Sequence, residues 1–310
     1  MIPDLRRFFI TLLIVILSCG TALACSLGVD TVGLTSWSGG DGRGYDVFDE
    51  TVYYQPLTLK VSAIDADCPF YVTVAATMVG GAGGLLTGPG TPLVFEVYRD
   101  ASGAQAMRPS PLATQSETLV GTASRKGPPE TFQVVYSIPA LQIVPPGVYS
   151  GQITIAVYEG SFGSGLLRIQ KQVPLSITIP SIAELTFATA TFKTKKKQVA
   201  VDFGVMSEGK IKGVTLHARG NGGYRISVNS GNGGVMLQPD PSDKSAVSYT
   251  LSIDGRPVKL GKSEDEAVIY QGTTDAHGND HRFDFRIGSI REAAAGDYED
   301  TVSVTIMSLR

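Results

Sequence analysis

A pattern that occurs twice limits what this chain can fold into. Gly147-Val148-Tyr149 and Gly296-Asp297-Tyr298 are each followed by apolar residues four, six and eight positions beyond the tyrosine: Ile153, Ile155 and Val157 in the first copy, Val302, Val304 and Ile306 in the second. Apolar residues at every second position make a strand with one buried face. Two copies predict two related β-domains in tandem, and 310 residues suffice for both. The copies differ in what comes next. After the first, Val173, Leu175, Ile177 and Ile179 alternate until Pro180 stops them; after the second, the sequence ends at Arg310. A sandwich whose last strand has no neighbour exposes an edge and part of its core. The second domain is therefore expected to need a strand from elsewhere.

The rest of the chain reads as strands separated by glycine. There are 36 glycines and only 18% charged residues, and Asn232-Gly233 and Asp254-Gly255 are turn dipeptides between alternating runs such as Tyr224 to Val228 and Val247 to Ile253. Strand-like runs are also read at residues 185–192 and 199–204. The expected class is all-β, two tandem sandwiches, one over 25–180 and one over 181–310. A formal charge of −3 argues against nucleic acid as the main partner, and the basic run at 193–197 reads as a solvated turn or strand end.

Residues 1–24 read as an export signal. Arg6 and Arg7 precede the apolar run from Phe8 to Leu17, and Ala22-Leu23-Ala24 is a small-x-small cleavage site, so the mature chain is expected to begin at Cys25 in an oxidising space. Cys19 leaves with the signal, and Cys25 and Cys68 are expected to form a disulfide. A cysteine at the mature start also suits lipidation, although Ala22 stands where such signals usually carry leucine.

No residue set suggests catalysis, a metal or a cofactor. His277 and His281 lie near Asp275, Asp280 and Asp284, but the segment is turn-rich, so the pair reads as a solvated loop. The acid run at 264–266 reads as a solvated face, and His217 has no acidic neighbour in sequence. The glycine-rich stretch 80–92 carries Leu85, Leu86 and Pro89. Its leucines form either an apolar contact surface or a lid folded onto the core.

Several stretches together resemble a known family. These are Trp37-Ser38-Gly39-Gly40, Gly44-Tyr45-Asp46-Val47-Phe48-Asp49, Cys68-x-Phe70 and Pro146-Gly147-x-Tyr149 in the first half, and Val201-Asp202-Phe203-Gly204, Tyr224-Arg225-Ile226-Ser227-Val228, Val247-Ser248-Tyr249 and Ala295-Gly296-Asp297-Tyr298-x-Asp300-Thr301 in the second. The set is similar to the spore coat protein U-like and archaic chaperone–usher pilus subunits of Gram-negative bacteria. The resemblance implies immunoglobulin-like sandwiches, the C-terminal one lacking its final strand. A periplasmic chaperone fills the gap first, and a neighbouring subunit replaces it at an outer-membrane usher. It further implies an acceptor edge at Tyr298, Val302, Val304 and Ile306, with Arg310 anchored by the chaperone. Polymerising members carry a donor segment ahead of the first cysteine, whereas Cys25 opens the mature chain here. A subunit that accepts but does not donate is expected at a fibre tip, exported to the cell surface, where it would attach to an apolar surface or a glycan and support biofilm formation. The alternatives are a structural coat or shaft protein, and a secreted carbohydrate-binding sandwich.

Overall fold

The computed structural model describes residues 25–33, 36–37, 42–76, 78–79, 82–195, 197–239, 245–261 and 267–309. The expected signal (1–24), part of the first glycine turn (38–41), the acid run (264–266) and Arg310 lie outside the described residues.

The protein is all-β. The first half contributes β1 (Leu27–Gly33), β2 (Ser36–Trp37), β3 (Tyr54–Ala63), β4 (Cys68–Ala76), β5 (Met78–Val79), β6 (Ala82–Leu86), β7 (Leu93–Tyr98), β8 (Leu119–Ala123), β9 (Glu130–Ser137), β10 (Gly147–Glu159) and β11 (Leu166–Ile179). The second contributes β12 (Ala183–Phe187), β13 (Ile211–Gly220), β14 (Tyr224–Ser230), β15 (Val235–Leu237), β16 (Ala246–Ile253), β17 (Arg256–Val258), β18 (Ala267–Tyr270), β19 (Asn279–Ile287) and β20 (Val302–Ser308). Among the described residues no helix is long and apolar enough to cross a membrane.

Each half is a sandwich around its own core. In the first, the sheet β1-β3-β9-β7-β6-β5 faces β2-β11-β10-β4-β8. The inward residues of the facing strands meet in one cluster, with Leu59, Val61, Phe70, Val72, Ile153 and Ile155 fully enclosed. In the second, β12-β13-β19-β16-β15 faces a sheet of only three strands, β18-β14-β20, and the core gathers around Ile226, Val228, Ile253 and Phe283. By strand order, the two smaller sheets correspond as β10 with β20, β4 with β14 and β8 with β18. The two strands of the first sandwich that have no counterpart are β11 and β2.

Both Gly-x-Tyr copies form the same corner ahead of the strand. The Tyr149 hydroxyl reaches the Pro145 carbonyl at 3.0 Å as well as that of Pro89, and the Tyr298 hydroxyl donates to the Ala294 carbonyl at 2.9 Å. In each case the ring is tied to the backbone four residues upstream, the tyrosine-corner device of sandwich folds. The repeated tyrosine is thus a pin for the entry to the strand.

Cys25 and Cys68 are joined, with Cα atoms 6.1 Å apart. The bond fixes the start of the described chain to β4, where Cys68 is fully buried. The Cys25 backbone N–H also donates to the Glu159 carboxylate at 3.1 Å. Closing a loop of 43 residues restrains the unfolded chain by about 4 kcal/mol. Replacing both cysteines by serine is expected to lower the unfolding midpoint of the first sandwich and leave that of the second in place, read by calorimetry. An unchanged first midpoint would contradict this.

Two expectations about strands need correction. Residues 199–204 form no strand. In the first sandwich the short β2 is a strand because Ser36 and Trp37 pair in parallel with Ser176 and Ile177 of β11. With no equivalent of β11 among the described residues, the second segment has no ladder to join, although Val201 and Phe203 still pack on the core. The run read at 185–192 ends as a strand at Phe187, and a turn follows.

Candidate functional site: an open strand edge

The last strand is paired on one side only. β20 runs antiparallel to β14 from Ser230↔Val302 to Tyr224↔Ser308, and among the described residues its other edge has no ladder partner. Its counterpart β10 lies between β4 and β11, with Ile153 opposite Val173 and Val157 opposite Ile169. Burial follows pairing. Ile153, Ile155 and Val157 are each 0% exposed, whereas Val302, Val304 and Ile306 are only half-buried although their side chains face the same kind of core.

The missing strands leave a groove of about 1220 Å³ between β20 and β12. Val302, Val304 and Ile306 line one side; Ala183, Leu185 and Phe187 line the other. Leu185 and Phe187 pair with Ala218 and Leu216 and so face the core, where they too are half-buried. Apolar rows on both walls and an unpaired backbone edge along one of them accept an extended segment with apolar side chains at alternate positions.

One end of this groove is a charged junction between the sandwiches. The Glu184 carboxylate accepts from Lys195 at 2.6 Å and from Arg219 at 2.6 and 2.7 Å. Burial pushes this carboxyl up, but the bonds from Lys195 and Arg219 outweigh it and hold it below the usual range. The Arg219 guanidinium lies between the rings of Phe48, 4.4 Å away, and Phe192, 4.2 Å away, and Lys193 pairs with Glu50 at 2.5 Å. The basic run read as a solvated turn is thus partly engaged across the junction.

At the other end, Asp300 fixes where β20 begins. Its carboxylate accepts from the Ser230 hydroxyl at 2.5 Å, the Tyr249 hydroxyl at 2.6 Å and the Asn232 backbone N–H at 3.1 Å.

Of the acceptor residues expected from the sequence, Val302, Val304 and Ile306 line the groove and Tyr298 does not. Tyr298 is committed to its corner and to a close contact with the Ser245 hydroxyl. The contact-surface reading of Leu85, Leu86 and Pro89 also changes. Leu85 and Leu86 belong to β6, Leu86 is 2% exposed in the core and Leu85 is half-buried, so of the three only Pro89 is exposed. Sequence reasoning missed the far wall, which the alternation of Ala183, Leu185 and Phe187 marks, and it missed Arg43 and Asp46, which nothing local marks.

His281 is not in a solvated loop. It lies on β19, 3% exposed, with Nδ1 2.7 Å from Asp254 Oδ2 and Nε2 2.8 Å from the Tyr224 hydroxyl, while the Tyr270 hydroxyl donates to the same Asp254 oxygen at 2.7 Å. Alternation places it inward: Phe283, Phe285 and Ile287 follow on the same face. A buried histidine with both nitrogens engaged braces the core and has no open position for a metal. His217 has Asp280 against its Nδ1, brought there by the β13–β19 pairing.

No protein-family model matches the chain, and no curated protein matches it. Among solved structures it is similar to the CsuC-CsuE chaperone-tip adhesion subunit pre-assembly complex from archaic chaperone-usher Csu pili of Acinetobacter baumannii, at 15% identity over 86% of this chain and 92% of that chain, with a TM-score of 0.43. It is similar also to the CupB6 tip adhesin from Pseudomonas aeruginosa, at 13% identity over 91% of this chain and 94% of that one, with a TM-score of 0.39. A third is CfaE, the adhesive subunit of CFA/I fimbria of enterotoxigenic Escherichia coli, at 10% identity over 90% and 81%, with a TM-score of 0.37.

Proposed function

We propose that the chain is a non-catalytic subunit of a surface fibre, that its second sandwich (181–310) is completed by an extended strand from a partner, and that its first (25–180) is the adhesive domain. The observation that carries this is the difference between β10, enclosed by β11, and β20, open along a groove of the same kind. The first sandwich supplies the template for the occupant: β11 runs antiparallel to β10 and places Val173, Leu175, Ile177 and Ile179 in the core. A periplasmic chaperone strand followed by the strand of a neighbouring subunit, exchanged at an outer-membrane usher, meets this requirement. Arg310 is the proposed anchor for the chaperone.

Direction supports a place at the tip. An occupant antiparallel to β20 has its amino end beside Ser308, where Ser181 bonds Leu309 at the junction with the first sandwich, and its carboxyl end leaves beyond Val302. The body of the donor subunit then lies on the side away from the first sandwich, which points outward to the surface or glycan it attaches, as in biofilm formation. Cys25 is tied to β4 by its disulfide, and on the proposed cleavage after Ala24 the subunit accepts a strand without donating one.

Immunogold labelling of fibres from cells producing the chain with its native partners is expected to place it at fibre ends. Labelling along the whole length would overturn the tip assignment in favour of a shaft subunit.

A further inference from the structure

We propose that the 43–46 loop of the first sandwich is an end stop that sets the length and register of the strand inserted into the second. This rests on the reading of the groove as a strand acceptor and adds a constraint which that reading does not contain. The groove is not built by the second sandwich alone: Arg43, Gly44 and Asp46 line it together with Pro180 and Ser181. These residues stand at the Ser308 end, since Ser308 and Leu309 bond to Ser181.

The stop is held firmly. The Tyr45 backbone N–H donates to the Thr178 carbonyl at 3.1 Å, its hydroxyl donates to the Pro139 carbonyl at 2.7 Å and accepts from the Gln142 N–H at 3.0 Å. Gly44 has φ +109°, and a Cβ there would collide with the Thr178 carbonyl oxygen, so the loop has no room to retreat toward the first sandwich. The Asp46 carboxylate accepts from the Phe48 N–H at 2.9 Å, and Phe48 is pressed against Arg219 of the second sandwich. The two sandwiches are thereby clasped beside the groove, which keeps the stop across its end.

An antiparallel occupant arrives amino end first against this loop. From Ser308 to Val302 it has seven ladder positions, roughly 24 Å of extended chain. Its first residue is opposite Ser308, and its third, fifth and seventh are opposite Ile306, Val304 and Val302. A segment with one or three extra residues ahead of the first must shift register by an odd step, which turns its apolar side chains out of the groove, or must displace the loop.

The test uses synthetic peptides and the full chain refolded in their presence. The matched probe is the β11 sequence, Leu166–Ile179: Leu166 is opposite Glu159, the counterpart of Ser308, and the irregularity after Leu167 brings Ile169, Lys171 and Val173 opposite the counterparts of Ile306, Val304 and Val302. Adding one or three polar residues to its amino end is expected to weaken binding about tenfold or more, and Arg43→Ala to restore part of the loss. Adding the same residues to the carboxyl end is expected to have no effect. Equal binding by all the lengthened peptides would overturn the stop and leave the groove intact. Failure of every peptide, the matched one included, to protect β20 from hydrogen exchange would overturn the acceptor reading and the stop together.

Discussion

A copy of β11 appended behind Arg310, through a turn of the length and composition of residues 160–165, is expected to raise the unfolding midpoint of the second sandwich by about 10 °C or more. The appended strand is asked to do for β20 what β11 does for β10. It would enclose Val302, Val304 and Ile306, now half-buried, along with Leu185 and Phe187 on the opposite wall. Burying an apolar side chain of this size contributes about 1.5–3 kcal/mol, and the added ladder satisfies the backbone groups of the open edge. Ordering a dozen residues opposes this at about 1 kcal/mol or more each, so a net gain of about 3–5 kcal/mol is the reasonable scale. That gain corresponds to the stated shift for a domain of this size. Differential scanning calorimetry of the chain with and without the extension reads it directly. The same extension with aspartate at its inward positions is the control, and an equal shift from both versions would show that the groove is not being filled.

Val304→Asp is expected to abolish strand capture. Val304 is the central apolar residue of the groove wall and pairs with the fully buried Val228. In the open protein a carboxylate there is still reached by water. Once a strand covers it, no cation stands by to compensate, and a buried unpaired charge costs about 3–5 kcal/mol, a loss of affinity on the order of 10²–10³-fold or more. Ser303→Asp, one residue away on the exposed outer face, is expected to bind as the parent does. Because β11 places Lys171 opposite Ile155, the counterpart of Val304, titration uses the β11 peptide with Lys171→Leu, which brings no cation to the site and distinguishes the two variants. Equal loss from both would point to a general weakening of β20, and equal retention would remove Val304 from the site.

Much of this arrangement was legible in the residues. Alternation after Tyr149 and Tyr298 marked β10 and β20, and the run ending at Pro180 marked β11. Period-two patterning reports which face of a strand is buried, and that is local information. Residues 199–204 carry the same patterning and are not a strand, because a ladder needs a second chain segment at hydrogen-bonding distance and theirs is missing. His281 was misplaced for a related reason: neighbouring turn residues made it look solvated, while the sheet register turned it inward. Of the two readings of Leu86, contact surface or lid on the core, its burial fits the second. Tyr298 kept its importance and changed its part, since a hydroxyl bonded four residues upstream is a contact that apolar spacing does not report.

By itself, the sequence determined two sandwiches of one design, a Gly-x-Tyr corner ahead of a core strand in each, and the cysteine pair Cys25 and Cys68. Each of these depends on residue type and spacing along the chain, so each could be read there. Only the tertiary structure decided that the unpaired strand faces a groove walled by β12, and that Arg43 and Asp46 from the other sandwich help to line it. Those residues lie more than a hundred positions from the strands they serve. They reach the site through the clasp of Phe48, Arg219 and Phe192, a meeting set by how the two cores pack and by no pattern along the chain.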